Sequence, residues 1–343
     1  MLFFKFISLF RPSNFLFLLV LPLSAPSFAQ TIQNEGNEIE CKSSGIDQEY
    51  LLNSFKGLAN SLNQGIVEAT KERVLSAASS EVSSRGSCFL QKYFPTVELD
   101  IALRDGNKPT GGLLILSPIF SQSPKNTLFT QGSLFRKDDR TTVNIGFGYR
   151  RLEYDNKLLL GINTFYDHEF PYNHARSSLG IEARTSVGEF NANLYKGLTG
   201  WKAAKNSINE KGLGGHDLEF GMPFPYVNWA KLYVKEFKWK SAVEGEKDVS
   251  GRDLSVNISV PSVPGLSLEA GHRDYKSQSD ENFVKVGYNL TLGLKTKKNK
   301  RSWVNKSAYQ LVSMEDRRFD KVRRENLIYK QRKSSGTLLV GGY

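Results

Sequence analysis

Cysteine and long apolar runs are both scarce in this 343-residue sequence. Its two cysteines, Cys41 and Cys88, are too few for a disulfide framework, although export would make them candidates for one disulfide. Beyond residue 29 there is no run of about 20 apolar residues, the length that a transmembrane helix needs. No spacing of His, Cys and acidic residues matches a zinc site, so we expect no metal or other cofactor.

The N-terminus has the order of features that marks a secretory signal peptide. Lys5 and Arg11 come first, an apolar run follows from Phe15 to Leu23, and Ser27-Phe28-Ala29 forms a small-residue cleavage site. We predict that residues 1–29 are removed, with an uncleaved anchor as the alternative. An exported chain without a transmembrane helix is either a soluble protein or a β-barrel.

From Val97 to Gly293 the apolar pattern has a period of two, which predicts strands with one apolar and one polar face. The clearest run has the apolar set Val143, Ile145, Phe147 and Tyr149 and the polar set Asn144, Gly146, Gly148 and Arg150. Such runs reach about nine residues, which is the length that a tilted strand needs to cross a membrane. A soluble sandwich does not usually sustain them.

Twelve strands are predicted, and an even number is what a bacterial outer-membrane barrel requires. They lie near 97–104, 111–120, 126–137, 141–152, 157–168, 174–186, 189–200, 216–224, 229–239, 251–261, 265–276 and 282–293. The predicted fold is therefore all-β. It is a closed antiparallel transmembrane β-barrel of about 12 strands over residues 96–293, with an N-terminal periplasmic helix and a basic C-terminal tail.

The lengths of the links predict which way the barrel faces. The long polar links 202–215 and 240–250 fall on one side, and five short links fall on the other. Outer-membrane barrels have short periplasmic turns and longer external loops. We therefore predict a protein of a Gram-negative-type outer membrane with its N-terminus in the periplasm.

Residues 30–95 are predicted to form a periplasmic segment that contains a helix. Apolar residues recur there at spacings of three and four, and Asp47 is a suitable N-cap. The apolar positions are Leu51, Phe55, Leu58, Leu62, Ile66 and Ala69. The helix packs on the barrel mouth or on itself, and binding of a partner is the alternative.

The middle of the predicted barrel resembles the signature hairpin of a known family. Residues 148–167 read Gly-Tyr-Arg-Arg-Leu-Glu-Tyr-Asp-Asn-Lys-Leu-Leu-Leu-Gly-Ile-Asn-Thr-Phe-Tyr-Asp, as in the β-domain of the intimin/invasin family of inverse autotransporters. The stretch from Arg317 to Lys330 resembles the one that closes that domain. The resemblance implies an outer-membrane barrel that anchors and helps to export a C-terminal adhesin passenger, with the linker in the lumen.

The family's motifs imply a lumen wall that includes Arg150, Asn163, Asp167, His174, Arg176, Glu182 and Asp217. The alternation independently puts the first six of these on the polar face. Acids and bases of neighbouring strands would then lie inside one narrow pore, where water keeps charge tolerable. They either pair with each other and stiffen the wall, or they contact a polypeptide in the lumen.

The C-terminal tail, residues 294–343, carries nearly all of the chain's positive charge. Residues 295–333 hold 14 Lys/Arg against 4 Asp/Glu, so 14 − 4 = +10 of the chain's +11 lies there. We predict that the tail lies at the periplasmic mouth or plugs the lumen, pairing with wall acids such as Glu182, Glu219 and Glu269. The expected plug contacts are Lys295, Lys297, Lys298, Arg317, Arg318, Arg323 and Arg324. The pattern of Leu338–Tyr343 fits a lumen piece, a strand fragment or a frayed end.

The function predicted from these features is that of the translocator and anchor domain of inverse autotransporters. About fifty residues follow the last strand, too few for a passenger domain, so we expect a relative that lacks the adhesin. A narrow diffusion channel and a surface binding protein that acts through its external loops are the alternatives. No Gly-x-Ser-x-Gly motif occurs, and we do not expect an enzyme.

The expected partners follow from an outer-membrane location. They are outer-membrane lipid and lipopolysaccharide, together with the barrel-assembly machinery and periplasmic chaperones. Nucleic acid is not expected, because the basic tail belongs to an exported barrel. The sequence leaves the identity of any passenger or ligand open.

Overall fold

The structure is a computed structural model that describes residues 96–105, 109–123, 125–205, 208–263, 265–290, 303–334 and 337–341. They belong to one compact unit within residues 87–343. Among them, no helix is both long and apolar enough to cross a bilayer. The predicted signal peptide (1–29) and N-terminal segment (30–95) lie outside the described residues, as do Cys41 and Cys88.

Twelve antiparallel strands close into a barrel, which confirms the predicted all-β barrel and its number of strands. The barrel strands are β1 (Thr96–Arg104), β2 (Thr110–Ser123), β3 (Asn126–Lys137), β4 (Arg140–Glu153), β5 (Leu158–Phe170), β6 (His174–Arg184), β7 (Glu189–Gly197), β10 (Gly215–Phe224), β11 (Val227–Trp239), β12 (Val249–Ser259), β13 (Leu266–Tyr275) and β14 (Glu281–Leu290). β1 pairs with β14, and this pairing closes the ring. Closure matters in a bilayer because an open sheet edge would leave backbone groups without hydrogen-bond partners.

Side chains of the barrel strands alternate between the lumen and the outer surface. In β4, Phe147 and Tyr149 are exposed on the outside, whereas Asn144 and Arg150 are buried inside. Many outward-facing side chains of the other strands are also apolar. Leu194 of β7, for example, is 62% exposed. Apolar residues outside and charged residues inside are the reverse of a soluble protein. They are what a lipid-facing wall around a polar lumen requires.

The links between strands define two rims. The turn rim carries the short links 124–125, 154–157, 185–188, 225–226 and 260–265. The loop rim carries the links 105–109, 138–139, 171–173, 198–214, 240–248 and 276–280. Because the strands alternate in direction, β1 begins at the turn rim and β14 ends there.

The 198–214 link contains two short strands, although the sequence predicted a loop at 202–215. They are β8 (Lys202–Ala203) and β9 (Asn209–Gly212), and they join β15 (Lys330–Ser334) and β16 (Thr337–Gly341) in a sheet of order β16-β15-β9-β8. Such short pairings between segments far apart in the chain leave no periodic signal in either segment. The sheet therefore could not be predicted from the link alone.

Gly215, at the start of β10, occupies a position where no side chain fits. A Cβ there would lie 2.1 Å from the backbone oxygen of Lys238, which cannot rotate away. We expect Gly215→Ala to lower the free energy of unfolding by about 1–3 kcal/mol. The matched control is Gly200→Ala on the same rim, where a Cβ meets nothing within 4 Å. Urea unfolding in detergent, followed by tryptophan fluorescence, measures both, and equal midpoints for the two variants would contradict the prediction.

Candidate functional site: a polypeptide segment in the barrel lumen

Charged and polar side chains of β4, β5, β6, β7 and β10 line the lumen. The seven wall residues inferred from the sequence are each at most 4% exposed. They are Arg150, Asn163, Asp167, His174, Arg176, Glu182 and Asp217. Burial of this many charges is tolerable only where each one finds a partner, so the partners define the site.

Two ion pairs join neighbouring strands of the wall. Arg150 donates to Glu182 at 2.5 and 3.2 Å, and Arg176 donates to Asp167 at 2.8 Å. Glu182 also pairs with Arg184 at 2.6 Å. Glu182 was predicted to pair with the basic tail, but it pairs instead with these two wall arginines. The wall therefore neutralises part of its own charge.

Asp217 is held by neutral donors. Asn193 and Tyr195 both donate to its carboxylate, each at 2.7 Å. Asn163 lies in front of Gly180, where a Cβ would stand 2.5 Å from the Asn163 Oδ1. Gly180 thus leaves room for polar side chains from its two neighbouring strands.

Residues 303–314, here called the rim strap, run along the turn rim before the chain enters the lumen. Trp229 donates to the Trp303 carbonyl at 2.9 Å, and the two rings meet edge to face at 5.3 Å. Farther along, Ser186 donates to a strap carbonyl at 2.7 Å, and the Met314 N–H donates to the Asn156 carbonyl at 2.7 Å. The strap thereby leads the chain from β11 around the rim to the β4–β5 turn.

Residues 315–332, here called the threaded segment, enter the lumen at the turn rim. The segment begins with a short 3₁₀ helix, Glu315–Phe319, from which Arg317 pairs with Glu189 at 2.7 Å. Arg150 of the wall donates to the Arg318 carbonyl at 2.7 Å. Arg150 therefore holds a wall carboxylate and the backbone of the segment together.

Asp167 joins the wall to the middle of the threaded segment. Arg324 donates to its two carboxylate oxygens at 2.9 and 2.7 Å, and Arg176 of the wall donates at 2.8 Å. The side chains of all three residues are 0% exposed. One carboxylate thus serves two buried guanidinium groups, in the fork geometry that arginine favours.

Two further bases of the threaded segment meet acids on other parts of the wall. Lys321 pairs with Glu98 of β1. Arg323 bonds both carboxylate oxygens of Glu219 at 2.5 and 3.0 Å, and Glu269 lies 3.7 Å away. The segment is therefore tied to strands all around the barrel.

The threaded segment leaves the lumen at the loop rim. Tyr329 stacks on Trp239 with ring centroids 4.4 Å apart, and Arg273 donates to its hydroxyl at 2.5 Å. Lys330 pairs with Glu169 at the end of β5. From Lys330 onward the chain forms β15, which pairs with β9 of the long link. The segment therefore spans the lumen from one rim to the other.

Glu210 of β9 gathers several partners at this exit. Arg140 and Arg332 approach its carboxylate at 2.8 and 2.9 Å, and His174 lies at 3.6 Å. Burial acts to raise the pKa of Glu210, but His174 and Arg140 outweigh it and lower the pKa to about 2. Glu169, His174 and Glu210 lie close enough together to hold a metal ion. Since bases already pair with both carboxylates, the cluster is accounted for without one.

The expected plug contacts have three outcomes. Arg317, Arg323 and Arg324 pair with wall acids, and Arg318 contributes its backbone carbonyl. Lys295, Lys297 and Lys298 lie outside the described residues. Three further bases of the segment, Lys321, Lys330 and Arg332, were not predicted as contacts, and neither were their partners Glu98, Glu169 and Glu210. Glu169 was within reach of sequence reasoning, because it lies two residues beyond Asp167 on the same strand face.

Comparison with known proteins identifies the family. The model of the inverse autotransporter β-domain matches residues 52–326. The chain belongs to this family. Family membership and the barrel fold together make it an outer-membrane protein with a barrel of the translocator type. The adhesins and invasins of this family are not enzymes.

The relatives differ in how much of their own length the match covers. A putative attaching and effacing protein homolog of Escherichia coli K12 is 30% identical over 210 residues, which cover 57% of this chain and 68% of that protein. Invasin of Yersinia enterocolitica is 26% identical over 187 residues, 52% of this chain but 22% of invasin. A chain solved in work on the in-meso crystallization of membrane proteins has the same fold, with a TM-score of 0.57 and 20% identity over 69% of this chain and 100% of that chain.

Asp167 should be among the most costly lumen residues to remove. Asp167→Ala leaves two buried arginines without their carboxylate, and we expect the free energy of unfolding to fall by about 3–5 kcal/mol. The matched control is Asp139→Ala, since Asp139 pairs with Lys205 on the surface, where their side chains are 50% and 66% exposed. That variant should lose less than about 1 kcal/mol. Urea unfolding in detergent compares them, and a loss at Asp167 no larger than at Asp139 would refute the shared-carboxylate account.

Proposed function

We propose that this protein anchors and exports a polypeptide by holding it inside an outer-membrane barrel. The observation that carries the proposal is the threaded segment, whose bases pair one by one with acids of the wall from rim to rim. Such charge-assisted bonds fix both the position and the direction of the chain in the lumen. A diffusion channel would have no need of them.

In the same proposal the loop rim faces the outside and the N-terminus lies in the periplasm. The long links support this orientation, because outer-membrane barrels extend their longer loops outward. The signal sequence predicted at residues 1–29 would bring the chain to the periplasm, where chaperones and the barrel-assembly machinery would receive it. The segment then runs from the periplasmic side to the cell surface.

The relatives named above include an attaching and effacing protein homolog and an invasin. Because the shared part covers only 22% of invasin, invasion belongs to that whole protein. For the chain described here we propose the anchoring role of the barrel, without catalysis.

Conductance in planar bilayers tests whether the segment occupies the lumen. We expect the full chain to be closed and a chain stopped after Gly293 to conduct, because the threaded segment would be gone. A chain stopped after Lys333, which keeps the whole threaded segment but lacks the last residue of β15 and everything after it, is the matched control and should stay closed. If the full chain conducts as well as the chain stopped after Gly293, the segment does not block the pore, and a narrow diffusion channel becomes the better account.

A further inference from the structure

A cleft of about 390 Å³ opens at the loop rim, outside the lumen. Its lining comes from the end of β7 (residues 194–197), the end of β9 with the start of β10 (211–216), and the beginning of the β11–β12 link (240–242). None of the ion pairs that hold the threaded segment uses this cleft. It is therefore a feature that anchoring alone does not explain.

Three lysines line the cleft, namely Lys196, Lys211 and Lys240. Within the described part of the chain, none of them forms a side-chain hydrogen bond or an ion pair. The nearby Lys238 differs, because Asp248 pairs with it at 3.0 Å. Asp248 also accepts from the Ser241 N–H at 2.8 Å. The cleft thus brings together three amines that have no direct hydrogen-bond or ion-pair partner among the described residues.

The cleft lies at the loop-rim end of the apolar outer surface. Lys196 is two residues beyond Leu194 on the same outward face of β7, and Leu194 is 62% exposed. On the neighbouring strand β10, His216 is paired with Leu194 in the register. Leu218, two residues farther along β10, is 45% exposed. The outer wall is therefore apolar next to the cleft, and the amines of the three lysines lie at the loop rim. This arrangement matches an amphiphile whose acyl chains lie along the wall. Its anionic head group would then lie at the rim.

We propose that this cleft binds the phosphate groups of a phosphorylated, acylated glycolipid of the outer leaflet, the chemistry of lipopolysaccharide. The three lysines would bind the phosphates, and Leu194 and Leu218 would contact the first part of the acyl chains. The proposal rests on the outward orientation of the loop rim, which belongs to the proposed function. It adds a lipid partner to the barrel and fixes the height of the rim in the membrane.

Native mass spectrometry of the full chain in detergent tests the site with purified, phosphorylated lipid A as the probe. We expect the triple variant Lys196→Gln, Lys211→Gln, Lys240→Gln to bind on the order of tenfold to a hundredfold more weakly than the parent. The control triple variant Lys247→Gln, Lys276→Gln, Lys333→Gln removes the same charge from exposed positions of the loop rim outside the cleft. It should bind within a few-fold of the parent.

Two further measurements show which part of lipid A the cleft recognises. Dephosphorylated lipid A should bind as weakly to the parent as lipid A does to the triple variant, because the phosphates are the recognised groups. Inorganic phosphate at millimolar concentration should not displace the lipid, because it lacks the acyl chains. Equal binding of lipid A by parent and triple variant, or full displacement by inorganic phosphate, would overturn the proposal.

Lipid A binding at the cleft does not depend on whether the threaded segment blocks the lumen. A urea unfolding midpoint of the triple variant in detergent equal to that of the parent shows that its barrel is intact, so weak lipid binding cannot then be assigned to misfolding. If the loop rim faced the periplasm, lipid A would still bind in detergent, and surface labelling of the rim would fail. Failure of the lipid site and failure of the proposed function therefore give different results.

Discussion

The buried carboxylate of Asp167 accepts hydrogen bonds from one arginine of the wall and one arginine of the threaded segment. Neither guanidinium is exposed, so each depends on this acid for its charge to be tolerated inside the barrel. The same arrangement recurs at Arg150, which bonds both Glu182 and a segment carbonyl. Wall and segment therefore form one electrostatic unit, and the remaining contacts of the lumen build on it.

This dependence explains why the barrel has the pattern of a membrane protein and yet a filled interior. Alternation in each strand turns apolar side chains outward and charged ones inward. An empty lumen would leave acids such as Glu98 and Glu219 with water in place of the segment bases that now face them. The basic excess of the tail is the complement of these acids. Aromatic contacts at Tyr329 and the β9–β15 pairing then hold the segment at its exit.

The period-two pattern predicted the twelve strands well, because each strand reports its own two faces locally. The observed bounds differ from the predicted ones by a few residues, as where β7 ends at Gly197 rather than residue 200. The pattern also put the wall acids and bases on the correct face. It did not predict which base meets which acid. Lys330 reaches Glu169 only because the segment crosses at one particular depth, and this depth is set by the strap, the 3₁₀ helix and β15 together.

Surface labelling of intact cells tests most directly whether the chain crosses the barrel from the periplasm to the outside. In a background with Cys41→Ser and Cys88→Ser, Lys333→Cys beyond the loop rim is compared with Ser307→Cys in the strap. A membrane-impermeant maleimide should label Lys333→Cys on whole cells, and Ser307→Cys only after the outer membrane is broken. Labelling of both positions alike on whole cells, or of Ser307→Cys alone, would contradict the account.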